Sequence, residues 1–228
     1  MHLLIAAAGS GSRMGASRNK LLLPLLDRPL IAWTLDAVMQ ATTIDWVGMM
    51  VSRTDYPAFK ALVAGLPIVL IEGGATRQAS VAAGLAALPG GAEQVLIHDG
   101  ARCLVTPDLI DRCAHALLST PGLIAAVPVK DTIKEVASST LQIQYTPPRE
   151  RLWAAQTPQG FAVPLLKKAH QTALDEGWNV TDDAALFEKL DLPVTIVPGE
   201  ETNLKVTTPL DLILARVILE QRLASKEP

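Results

Sequence analysis

At 228 residues, 49% hydrophobic and 19% charged, the chain has apolar material for one sizeable core, and its length suits one α/β domain better than two. A formal net charge of −3 leaves no basic surplus, so nucleic acid is not an expected partner and any anion site must be a local gathering of Lys and Arg. No apolar run approaches the ~18 residues of a membrane span, and Cys103 and Cys113 lack metal-like spacing. Together these features predict a soluble, cytoplasmic protein with no membrane partner and a reduced, buried pair of thiols.

Along the chain, His2 to Ala8 has no basic flank before it and runs straight into Gly9-Ser10-Gly11-Ser12-Arg13-Met14-Gly15. That pattern predicts a first buried strand and a glycine loop, not a signal peptide. An amphipathic stretch over Leu30–Gln40 predicts a helix, followed by strands at Trp46–Val51 and Ile68–Ile71. Gly73-Gly74-Ala75-Thr76-Arg77-Gln78-Ala79-Ser80-Val81 then opens a helix expected over Ala79–Leu88. A strand at Gln94–Ile97 leads into His98-Asp99-Gly100-Ala101-Arg102, and Thr106-Pro107-Asp108 marks the start of a helix over Asp108–Leu118 with an N-cap hydroxyl, a first-turn proline and an early carboxylate. Further strands are expected at Leu123–Val129 and Val194–Val197, with a helix at Leu165–Glu176 between them. Thr208-Pro209-Leu210-Asp211 repeats the helix-start signature near the C-terminus. Strands apolar on both faces and alternating with helices predict an α/β fold: a doubly wound, mainly parallel, Rossmann-like sheet filling residues 1–228 as a single domain.

One segment departs from that alternation. Residues 132–151 place Ile133, Val136, Leu141, Ile143 and Tyr145 around Ser138-Ser139-Thr140 and end after Pro147-Pro148. It reads as a projecting β-arm, too polar for the core, whose apolar side needs a second chain to cover it.

The glycine loop lets backbone N–H groups approach phosphate oxygens. Its spacing, G-x-G-x-x-x-G, is not the dinucleotide fingerprint, and Met49-Met50-Val51-Ser52-Arg53 puts no acidic residue where a ribose carboxylate belongs. These two features weigh against a nicotinamide-dependent dehydrogenase, and the lack of G-x-x-x-x-G-K-[ST] weighs against a P-loop kinase. Arg13 within the loop and Lys20 after it set positive charge beside a triphosphate, an arrangement suited to transfer at phosphorus.

With Leu152-Trp153-Ala154-Ala155-Gln156-Thr157-Pro158-Gln159 and Asn203-Leu204-Lys205-Val206-Thr207-Thr208-Pro209-Leu210-Asp211-Leu212 added to the three earlier motifs, the chain resembles the 2-C-methyl-D-erythritol 4-phosphate cytidylyltransferases of the non-mevalonate isoprenoid route over nearly its whole length. The resemblance implies cytidylyl transfer from CTP to methylerythritol 4-phosphate, with Mg²⁺ as cofactor and a homodimer formed through the arm. It implies that Ala7, Ala8, Gly9 and Gly11 line the nucleotide and that Gly74 and Ser80 read the cytosine. Arg13, Lys20 and Lys205 would then be catalytic and Asp99 would support the metal and the substrate hydroxyls. Arg102, Thr132, Arg149, Thr157 and Thr181 would surround the polyol phosphate. A cytidylyltransferase acting on ribitol 5-phosphate shares the nucleotide loop and stays open as an alternative. The chain departs from the family pattern twice, with Asn19 before the loop lysine and Cys103 after Arg102 where proline is usual.

Overall fold

The computed structural model describes residues 1–9 and 19–225. The chain runs β1 (His2–Ala6), a short 3-10 turn at Lys20–Leu22, the small ribbon β2 (Pro24–Leu25) and β3 (Arg28–Pro29), α1 (Leu30–Gln40), β4 (Trp46–Val51) and α2 (Tyr56–Leu62). It continues through β5 (Ile68–Glu72), α3 (Arg77–Ala86), β6 (Gln94–Asp99), α4 (Pro107–Leu117), β7 (Gly122–Pro128), β8 (Glu135–Val136) and β9 (Ile143–Tyr145). The last elements are β10 (Trp153–Ala162), α5 (Val163–Asp175), α6 (Ala184–Lys189), β11 (Thr195–Pro198) and α7 (Pro209–Ala224).

The main sheet has seven strands in the order β11-β7-β10-β6-β1-β4-β5. All its neighbours pair in parallel except β10, which runs antiparallel between β6 and β7. Side chains along β1 alternate between the two faces: Leu3 and Ile5 join one core, Leu4 the other. On the first face the sheet packs against Leu30, Ile31 and Leu35 of α1, Phe59 of α2, Leu109 and Ile110 of α4, and Ala215 and Leu219 of α7. On the second it packs against Val81 and Leu85 of α3, Leu166 and Ala169 of α5, and Leu186 and Phe187 of α6. Burial on both faces is why the parallel strands read as continuous apolar runs. The expected doubly wound architecture is the one observed.

Strand β10 was not among the strands expected from the sequence. Its register against β7 shifts between Ala155 and Gln159, an irregularity that interrupts the ladder at Gln156, Thr157 and Pro158. Proline within the run and the break in alternation hide the strand from a period-2 pattern.

The segment read as an arm does form a hairpin: Glu135 and Val136 pair antiparallel with Tyr145 and Ile143. Its neck is closed where Val129 N–H donates to Leu152 O at 3.1 Å. Leu141, Ile143 and Tyr145 are exposed on it. A second exposed apolar stripe, Leu210, Ile213, Leu214 and Val217, runs along one face of α7 at helical spacing. Among the described residues no helix is long and apolar enough to cross a membrane.

Candidate active site

The site lies along the carboxyl-terminal edge of the parallel strands, where open α/β sheets bind their ligands. The sheet continues one residue past β1, since Ala7 N–H donates to Met50 O at 2.9 Å. Ala7 O accepts from Asn19 Nδ2 at 3.1 Å. The backbone of Ala7 is therefore engaged in tying the end of β1 to Met50 and to Asn19. Ala8 and Gly9 line a cavity of about 470 Å³, and Lys20 enters it from the far end of the loop. Gly11 and Arg13 lie outside the described residues.

Asn19 explains how the loop exit is fixed without the proline usual in the family. Its buried side chain accepts from Leu21 N–H at 3.0 Å, capping the 3-10 turn that carries Lys20. Its amide also donates to Asp55 Oδ2 at 3.0 Å. Lys20 Nζ donates to Val206 O at 2.7 Å, bridging the first loop to the segment before α7.

The opposite wall is the turn before α3. Gly74 must lack a side chain, because a Cβ there would meet Ala79 Cβ at 2.5 Å. Ser80, in the first turn of α3, donates to Thr76 O at 2.8 Å and lines the cavity together with Gly74.

The floor is Asp99, the last residue of β6, only 7% exposed. Lys205 Nζ stands 2.7 Å from its carboxylate, Arg77 Nε 3.6 Å and Arg102 Nε 3.9 Å. Burial alone would raise its pKa, but the Lys205 ammonium and the Arg77 and Arg102 guanidinium groups outweigh that and hold it well below the usual carboxylate range. Asp99 is thus an anion inside a ring of cations. His98, the residue before it, is fully buried, and burial pushes its imidazole down to about 4. The neutral ring fits its partners. Thr157 Oγ1 accepts from Asp99 N–H at 3.0 Å and lies 3.0 Å from His98 Nδ1, to which its hydroxyl can donate. The opposite ring nitrogen, Nε2, faces Arg102 O at 3.4 Å. His98 is a structural histidine, and Thr157 is held by Asp99 and His98 at once.

A smaller cavity of about 170 Å³ shares Arg77, Asp99 and Lys205 with the first. Arg102, Thr157 and Thr181 line it. Arg102 is fixed by its own donors, NH1 to Asn203 O at 2.8 Å and NH2 to Ala155 O at 3.2 Å. Asn203, fully buried, donates to Gln156 Oε1 at 3.1 Å and Thr157 O at 2.9 Å, binding the last motif to the irregular part of β10. Thr132 and Arg149 line neither cavity; both are exposed beside the hairpin, where Arg149 NH1 donates to Lys130 O at 2.8 Å.

Sequence reasoning passed over Arg77, which lines both cavities, and Gln159 and Asp182, which line the second. The signal available for Arg77 was a cation at the first position of a helix, against the helix dipole.

Among the described residues, no three His, Cys, Asp or Glu side chains gather into a metal cage. Asp99 is the one described carboxylate in the walls of both cavities and Lys205 already stands on it, so a hard cation there would have to be shared with a ligand. Asp99 offers carboxylate oxygen, and a magnesium-like ion takes the remainder of its shell from phosphates and water.

A mainly parallel sheet whose carboxyl-terminal edge gathers a glycine turn, two lysines and one buried carboxylate is the framework of a nucleotidyltransferase. A protein of Acaryochloris marina named 2-C-methyl-D-erythritol 4-phosphate cytidylyltransferase is 63% identical over 227 residues, covering 98% of this chain and 95% of its own. The crystal structure of 4-diphosphocytidyl-2C-methyl-D-erythritol synthase from Anaerococcus prevotii superposes with a TM-score of 0.86 at 32% identity, covering 96% of this chain and 97% of that one. The 2-C-methyl-D-erythritol 4-phosphate cytidylyltransferase of Thermus thermophilus gives a TM-score of 0.79 at 34% identity, covering 95% and 98%. The family model of 2-C-methyl-D-erythritol 4-phosphate cytidylyltransferase matches residues 1–221, and the chain belongs to that family.

Proposed function

We propose that the chain joins the cytidylyl group of CTP to 2-C-methyl-D-erythritol 4-phosphate, forming the cytidine-diphosphate derivative and pyrophosphate. The observation that carries this reading is the pair of adjoining cavities sharing Arg77, Asp99 and Lys205 in their walls, with Lys20 on the larger side and Arg102 on the smaller. The larger takes the nucleotide, with Gly74 and Ser80 at the base and Lys20 at the phosphates. The smaller takes the polyol phosphate beside Arg102, Thr157 and Thr181. An oxygen of the methylerythritol phosphate attacks the α-phosphorus in line, the bond to the β-phosphate oxygen breaks, and pyrophosphate leaves. A phosphomonoester is largely ionised at pH 7, its second pKa being about 6, so the attacking oxygen needs no base. That agrees with a neutral, structural His98. Lys20, Lys205 and Arg13 screen the repulsion between two anions and stabilise charge growing at phosphorus.

Mg²⁺ held between Asp99 and the triphosphate would supply further charge neutralisation when bound. The active unit is a homodimer, in which Thr132 and Arg149 of the arm complete the partner's polyol-phosphate pocket. Their exposure, away from both cavities of their own chain, supports that reading. The test is pyrophosphate release with CTP or UTP against methylerythritol 4-phosphate, ribitol 5-phosphate and erythritol 4-phosphate in parallel. Release with CTP and methylerythritol 4-phosphate at the highest kcat/KM is expected. A preference for ribitol 5-phosphate would overturn the substrate, and equal use of UTP would overturn the base assignment.

A further inference from the structure

Arg77 occupies a place that local helix energetics do not favour. It is the first residue of α3, just inside the Thr76 N-cap, where a positive charge faces the positive end of the helix dipole. Its side chain is only 26% exposed and lies among carboxylates from two other parts of the chain. NH1 is 2.7 Å from Asp183 Oδ2 and Nε is 3.6 Å from Asp99 Oδ1. Asp183, immediately before α6, is itself buried and takes a second contact from His170 Nε2 at 3.0 Å. The neighbouring Asp182 is tied separately, accepting from Gln159 Nε2 at 2.8 Å and from Ala185 N–H at 3.1 Å. Thr181 lies immediately before this pair, on the wall of the smaller cavity. Among the described residues no other ion pair links the start of α3 to the start of α6.

We propose that Arg77 is a positioning residue that fastens the Thr181–Asp183 segment to the Asp99 floor and so sets the width of the polyol-phosphate half of the site. The inference rests on the reading of the smaller cavity given above. A guanidinium suits the task because its planar fork can face two carboxylates at once, which a lysine ammonium on a flexible stem does less well. Without it, Asp183 keeps His170 but loses its tie to the floor, and among the described residues the Thr181 segment is left anchored to the sheet through the Asp182–Gln159 contact alone. A displacement near 1 Å in such a pocket can cost up to ~10²-fold in rate.

The experiment compares wild type, Arg77→Ala, Arg77→Lys, Asp183→Asn and the double variant Arg77→Ala/Asp183→Asn. It measures KM for methylerythritol 4-phosphate, kcat, and the calorimetric Kd of CTP with the polyol phosphate absent. Arg77→Ala is expected to raise KM for the polyol phosphate by roughly tenfold or more, while CTP binding shifts by less than about threefold. Arg77→Lys should recover part of that KM through its remaining contact with Asp183. Asp183→Asn should reproduce much of the rise, and the double variant should add little to Arg77→Ala, as expected for two groups acting through one contact. An unchanged polyol-phosphate KM in Arg77→Ala overturns the proposal. So does a weakening of CTP binding as large as that KM change, which would make Arg77 a nucleotide contact. If Asp183→Asn does not fold, the Ala and Lys variants at 77 decide alone, and equal KM values for those two would overturn the fastening role. A wild-type enzyme that releases no pyrophosphate from CTP and methylerythritol 4-phosphate would instead sink the functional reading on which the proposal rests.

Discussion

Lys20 illustrates how a single side chain is prepared for its task before any ligand arrives. Its backbone sits in a 3-10 turn capped by Asn19, and its ammonium is already drawn across to Val206 O at 2.7 Å. On the proposed reading, carrying a charge to the phosphates would therefore require little reordering of a long, flexible side chain. Lys20→Ala should lower kcat by at least ~10²-fold with the fold intact, as removing one pre-organised charge-stabilising donor does. Near wild-type turnover in a folded variant would refute the role. Residues of this kind were the most legible in the sequence, because charge and glycine spacing announce anion chemistry without knowledge of the fold. Asn19 was legible only as a departure from a family pattern. That its amide and carbonyl meet Ala7, Asp55 and Leu21 depends on chain segments up to 36 positions away. Arg77 was missed for a related reason: its partners Asp99 and Asp183 are brought to it by folding, and no spacing rule connects them.

Among the elements, α4 and α7 begin where their Thr-Pro signatures predict. Thr106 accepts from Leu109 N–H at 3.1 Å, and Thr208 forms a capping box with Asp211. Such caps are readable because donor and acceptor lie within one turn. The cap of α7 also has a functional side. Asp211 Oδ2 accepts from Thr207 N–H, Thr207 Oγ1 and Thr208 N–H, each at 2.8 Å, and Thr207 lines the larger cavity two residues after Lys205. Slight burial opposes ionisation of Asp211, but these hydrogen bonds prevail and hold its pKa below the ordinary 3.8. A carboxyl with a lowered folded pKa contributes stability that is present above the unfolded value and lost as pH falls through the folded one. Asp211→Ala should therefore cost about 1 kcal/mol at pH 7, the usual worth of a cap, and progressively less below pH ~4. Urea midpoints of wild type and variant, measured from pH 7 to pH 3, should converge. A gap that stays constant or widens would show that the carboxylate is not the source. By contrast, β10 escaped pattern reading because its functional irregularity at Gln156-Thr157-Pro158 is also what breaks its alternation. The strand was hidden by the part of it that lines the smaller cavity.

At the scale of the whole molecule, the hairpin and one face of α7 each leave several apolar side chains exposed among the described residues, and the proposed dimer gives the hairpin a partner. The sharing of sites between chains can be tested by mixing. Lys20→Ala and Arg149→Ala chains should each be nearly inactive alone. Co-refolded, about half the dimers should be mixed, each with one site built from two undamaged parts, so activity should recover to about a quarter of wild type. No recovery in confirmed heterodimers would exclude sharing. The sequence foretold the hairpin from its mixture of β-forming and polar residues; on the proposed reading, what it touches is written in the surface of another chain.

The closed neck of the hairpin has one more consequence. Val129 and Leu152 are joined at its base, and the β7–β10 ladder resumes at once with Trp153 opposite Pro128. The sheet therefore registers only that the excursion returns, hardly how long it is, since doubling a flexible loop costs only ~0.6 kcal/mol. Residues inserted or removed at the tip around Ser138 and Ser139 should accordingly leave the thermal midpoint of the sheet nearly where it was.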